Sequence, residues 1–115
     1  MPHPITRLEP GKRMSNAVIH GDTVYLAGQV GEGPTVTEQA RSALAEVDRL
    51  LALAGTSKAR ILSVQVWLAD IGDFGAMNAV WEAWVDPANP PARATGESKL
   101  ATPDYKVEFI VVAAR

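Results

Sequence analysis

Arg93, Thr95 and Glu108 are the residues of this chain whose types and spacing suit chemistry. An arginine presents two parallel N–H donors to the two oxygens of a carboxylate, and it keeps its charge at any working pH. Glu108 follows 15 residues later, alone among the apolar neighbours Val107, Phe109 and Ile110. A carboxylate so placed can hold or polarise a water. Two readings are open at this point. Arg93 and Glu108 form a site that grips a small carboxylic acid and a water, or they pair with each other as a structural ion pair of little energetic weight.

Other chemistries find no support. The two histidines, His3 and His20, have no partners at metal-ligand spacing, so no metal is expected, and His20 reads as a surface turn residue. There is no cysteine for a disulfide, a thiol nucleophile or a thiolate site. A nucleophile elbow and a glycine-rich phosphate cradle are both missing. Net charge is −2 and the basic residues are scattered, which argues against nucleic acid and anionic membrane as partners. The first residues hold no apolar leader and no apolar run is long enough to span a bilayer, so a cytoplasmic protein is expected. With 115 residues, 47% hydrophobic and 21% charged, the chain reads as one globular domain over 1–115.

These residues need elements to position them. Pro90-Pro91 forces an extended start, and alternation then puts Arg93, Thr95 and Glu97 on one side of a strand, opposite Ala94, Gly96 and Ser98. A turn at Ala101–Asp104 leads to a second strand, Lys106–Val112, and the two are expected to lie side by side and antiparallel. Upstream, residues 1–16 show no periodicity and read as an extended or irregular lead-in. Val18–His20 and Thr23–Ala27 flank Gly21-Asp22, a pair suited to a hairpin turn. Gly28, Gly31 and Gly33 then let the backbone pass close to something else. Thr35 and Glu38 have capping-box spacing and open a helix of about five turns that Gly55 ends. From Arg60 the period is two, with Leu62, Val64, Val66 and Leu68 on one face and Ile61, Ser63, Gln65 and Trp67 on the other. That second row carries too little charge for a solvated face and points to contact with another subunit. Asp73 caps a second helix to about Val85, whose Phe74, Met77, Trp81 and Trp84 read as a core stripe. The fold class is α+β, one mixed sheet with two helices on a single face.

Pro91-Ala92-Arg93-Ala94-Thr95, with Glu108 in Lys106-Val107-Glu108-Phe109, resembles the signature of the Rid family (YjgF/YER057c/UK114), the reactive intermediate deaminases. The likeness extends to HGDTVYLAGQ at 20–29, TEQAR at 37–41 and DFGAMNAVWEAW at 73–84. It implies a chorismate-mutase-like (ferredoxin-like) fold, a homotrimer and a cleft between each pair of subunits. It also implies hydrolysis of enamine and imine acids such as 2-aminoacrylate to 2-keto acids and ammonia, with no cofactor. Under the resemblance Arg93 binds the substrate carboxylate, Glu108 orients the attacking water, and Thr95 and the Gly28 backbone line the pocket. Arg13-Met14-Ser15 stands where well-known members carry Gly-Pro-Tyr, which puts Met14 at one wall, and Gly96 replaces a branched apolar residue. These two departures keep a second function open, a non-catalytic module that binds small 2-keto acids in the same cleft.

Overall fold

The computed structural model describes residues 2–115. The elements are β1 (Ile5–Leu8), β2 (Ala17–His20), β3 (Thr23–Leu26), α1 (Val36–Leu53), β4 (Ile61–Leu68), α2 (Phe74–Trp84), β5 (Ala92–Glu97) and β6 (Val107–Ala114). The strands form one six-stranded sheet in the order β1-β2-β3-β6-β4-β5. All pairs are antiparallel except β4 with β5, so the sheet is mixed, as its sequence implies. Among the described residues no helix is long and apolar enough to cross a membrane.

Local chemistry explains most of the elements. At the first hairpin only Gly21 takes a positive φ, 60°, which places glycine at the first central position of the turn. The Thr35 hydroxyl accepts from the Glu38 N–H at 3.2 Å and starts α1. Its end is a Schellman pair: Gly55, at φ 84°, donates to the Ala52 carbonyl at 3.0 Å and Thr56 donates to Leu51 at 2.9 Å. The core lies between the helices and one face of the sheet, where Val24, Leu26, Val64, Val66, Val107, Phe109 and Val111 meet Leu44, Val47, Leu51, Met77 and Trp81.

Several expectations are corrected. Within the lead-in, read as extended or irregular, residues 5–8 are extended and form a strand paired with β2, since β2 offers a free edge that Ile5–Leu8 can satisfy without needing a buried face. A bulge between Ile61 and Ser63 shifts the register of β4, burying Ile61 and turning Leu62 outward. Asp73 stands at the N-cap of α2 with no side-chain cap bond; Asp70 does the capping one turn earlier, accepting from Gly72 N–H at 2.8 Å. Finally, β5 and β6 are not neighbours, because β4 lies between them.

The glycine-rich stretch after β3 passes hard against α1. A Cβ on Gly31 would fall onto the Gln39 carbonyl oxygen and within 2.7 Å of the Ala43 nitrogen, both of them helix backbone. Gln39, which is buried, ties this stretch to the β5–β6 loop: its Nε2 donates to the carbonyls of Gly33 and Asp104, and its Oε1 accepts from Lys106 N–H. Gly31→Ala is therefore expected to cost about 3 kcal/mol of folding stability, read as a lower denaturant midpoint. An unchanged midpoint would mean that the loop can move off the helix.

Candidate functional site

Arg93 lies on β5, the edge strand, and pairs in register with Val64. Since Val64 is buried against the helices, Arg93 projects to the helix side of the sheet. There its guanidinium carbon lies 5.2 Å from the centroid of the Trp81 ring and 5.9 Å from that of Phe74. Aromatic faces attract the cation while removing it from water. Burial pulls the Arg93 pKa down and the field of Glu82 opposes this. No carboxylate approaches Arg93 within ion-pair distance among the described residues. Glu97, four residues along β5, accepts from the Ile71 N–H at 2.9 Å and so pins the start of α2, and with it Phe74, beside the strand.

Thr95 occupies the same face as Arg93, two residues on, paired with Val66. Its hydroxyl oxygen is buried and has no hydrogen-bond partner. A buried polar atom left unpaired is costly, so its natural explanation is a ligand or a neighbouring subunit.

Glu108 stands elsewhere. It pairs with Trp67, which in turn pairs with Gly96, and this row lies on the sheet face that no helix covers. Gly28 sits against it, so closely that a Cβ at 28 would lie 2.8 Å from the Glu108 carboxyl carbon. The missing side chain at 28 is what leaves room for the carboxylate. Glu108 is partly buried, and burial pushes its carboxyl above the ordinary value of 4.5. Met14 is exposed in the β1–β2 loop, whose last residue, Asn16, accepts from the Ala27 N–H at 2.9 Å beside Gly28.

The structure thus divides the expected site into two halves on opposite faces of one sheet, Arg93 with Thr95 and Glu108 with Gly28, and Met14 lies in the β1–β2 loop, linked to the second half through the Asn16–Ala27 bond. The expectation that Arg93 and Glu108 meet at one rim from adjacent strands is corrected, and the reading of them as a structural ion pair falls with it. The cavities agree with this division. One, about 380 Å³, runs between α1 and α2 past Arg41, Leu44, Asp48 and Trp84, away from both halves. A groove of about 270 Å³ along β4 and β5 holds Arg93 but not Glu108. The helical spacing of Phe74 and Trp81 reads as a core stripe; Trp81 is buried, but Phe74 is 41% exposed and both rings wall the arginine. Their spacing of seven on one helix, just ahead of a strand carrying a lone arginine, was the available signal.

The uncovered face is mainly apolar. Val18, Tyr25, Val112, Ser63 and Ala92 form one row, Ile110, Gln65 and Ala94 the next, and Glu108, Trp67 and Gly96 the third. Tyr25, Leu62 and Trp67 are among its large exposed side chains, 48%, 53% and 39% accessible.

Residues 4–115 match the family described as endoribonuclease L-PSP. A RutC family protein of Haemophilus influenzae is 43% identical over 112 residues, covering 95% of this chain and 97% of that protein. The human 2-iminobutanoate/2-iminopropanoate deaminase is 31% identical over 107 residues, covering 86% of this chain and 77% of that one. Among solved structures, a YjgF family member from Neisseria meningitidis superposes with a TM-score of 0.98 at 38% identity, covering 100% of this chain and 98% of its own.

Proposed function

Because the chain belongs to the endoribonuclease L-PSP family, the group that includes the YjgF proteins, we propose that it hydrolyses small 2-imino acids to 2-keto acids and ammonia in clefts between its subunits. The observation that carries this reading is the unpaired Arg93, an arginine held against two rings with no carboxylate among the described residues to meet it. It is an anion receptor awaiting an anion.

The opposite-facing halves require more than one copy. In a homotrimer the β5 edge of one subunit lies against the open sheet face of the next, so that Arg93 and Thr95 of the first confront Glu108 and Gly28 of the second. Such a head-to-tail contact closes into a ring and repeats the cleft at every junction. The apolar rows around Tyr25 and Trp67 supply the surface to be buried.

Within the cleft the Arg93 fork takes the substrate carboxylate, and the Thr95 hydroxyl gains its missing partner. Glu108 accepts a proton from water as the water oxygen adds to C2 of the imine. The resulting carbinolamine takes that proton back on nitrogen; Glu108 then carries the C2 hydroxyl proton to the same nitrogen as the C–N bond breaks, so that ammonia leaves and the C2 oxygen becomes the keto group. The imine is already electrophilic, so positioning and one base are sufficient. RNA as the substrate is disfavoured, since net charge is −2 and the basic residues form no run along which phosphates could lie.

The test is an imine produced in place from an L-amino acid by an amino-acid oxidase, with semicarbazide competing for it. Added protein is expected to lower the trapped product. No effect with several imino acids would overturn the deaminase reading. Met14 and Gly96 favour a second one, a module that binds 2-keto acids through Arg93 without turnover; calorimetric binding with no imine hydrolysis would select it.

A further inference from the structure

The β1–β2 loop, residues 9–16, is anchored in an unexpected way. Glu9 sits at φ 50°, in the left-handed region that residues other than glycine seldom adopt unless something holds them there. Arg49, on the outer side of α1, does the holding. Its Nη1 donates to Glu9 Oε2 at 2.8 Å and its Nη2 to Glu9 Oε1 at 3.0 Å. Its Nε also donates to Glu46 Oε1 at 3.0 Å, which fixes the guanidinium plane. Asn16 Nδ2 donates to the same Glu9 carboxylate at 2.9 Å, and Asn16 N–H donates to the Leu8 carbonyl at 3.1 Å. One carboxylate therefore ties the first residue of the loop, its last residue and a helix. Asn16 passes the constraint on to Ala27, and the next residue, Gly28, lies against Glu108. Inside the loop Gly11 N–H donates to the Met14 carbonyl at 2.7 Å and turns the chain there.

We propose that Glu9 and Arg49 are positioning residues for the Gly28–Glu108 half of the cleft, fixing where the Met14 loop stands as its wall. The inference rests on the imino-acid site proposed above. Both side chains are exposed, and pairs of this kind add little to stability. A fork that nonetheless holds a residue in a strained conformation selects a position. Hydrogen bonds from Arg49 and Asn16 hold the Glu9 carboxyl at about 2, well below its ordinary 4.5, so the fork is intact at neutral pH and opens only as the pH falls through that range.

The test uses the full chain carrying Glu9→Gln, Arg49→Gln or Glu9→Gly, the last relieving the backbone strain while cutting the tie. Amide hydrogen exchange at Ala27 and across the loop is expected to speed up about tenfold in each. The affinity for 2-oxobutanoate should fall about fivefold and KM for the imine should rise in step, with kcat within about twofold of wild type. In Glu9→Gly this loss should come with no fall in thermal stability, which a merely structural role does not allow. Unchanged exchange, or faster exchange with unchanged affinity, would overturn the proposal. A wild-type protein that neither binds the keto acid nor hydrolyses the imine would instead remove the imino-acid reading, and with it the purpose assigned to the latch.

Discussion

Replacing Arg93 with alanine is expected to lower kcat/KM for a small 2-imino acid at least about 100-fold, because two charge-assisted hydrogen bonds to the substrate disappear together. The fold should survive. Arg93 makes no ion pair among the described residues, and what it loses is its placement over Trp81 and Phe74, worth about 1 kcal/mol. Arg93→Lys keeps a charge but not the fork, so it should fall between the two. Steady-state kinetics alongside sedimentation checks both points. A rate for Arg93→Ala within a few fold of wild type would remove the arginine from the site.

Glu108→Gln should be as severe, lowering kcat by about 10² to 10⁴-fold, the usual weight of a positioned base. It should also leave the protein no less stable. Burial raises the Glu108 pKa above 4.5, so the folded state holds this proton more tightly than the unfolded chain does. The group's favourable contribution to stability is complete below the unfolded value and is lost as pH rises through the folded one. At neutral pH the ionised carboxylate is thus a cost of folding, which glutamine removes. A melting temperature that holds or rises while activity collapses is the expected pairing. The acid limb of the wild-type pH–rate profile should accordingly lie above 4.5. A sharp loss of stability in Glu108→Gln would mark the residue as structural.

What was legible in the chain was local. The Gly21 turn, the Thr35 cap and the Gly55 stop each act through bonds made within a few residues, and each stands where the sequence puts it. Order within the sheet was not legible, because alternation says which residues share a face and nothing about which strand lies beside which. A strand, a helix and a strand from Ile61 to Glu97 carried the usual sign of a parallel crossover, and reading it would have put β5 beside β4 rather than β6. The Leu62 bulge escaped for a related reason: a single extra residue resets the phase and leaves no mark on composition. At the site, residue types and family spacing singled out Arg93 and Glu108, but their opposite facing depends on β4 lying between their strands. The Glu9 latch had no sequence signal, since it joins residues 40 apart through a backbone angle.

The proposed site takes Arg93 from one subunit and Glu108 from another. Its most direct test mixes the inactive Arg93→Ala and Glu108→Gln proteins, unfolds them and refolds them together. Random mixing leaves an intact Arg93 facing an intact Glu108 at some junctions of a ring, and about a quarter of the wild-type rate should return. Refolding each variant alone should return none. A mixture that forms oligomers and stays as inactive as its components would contradict the account.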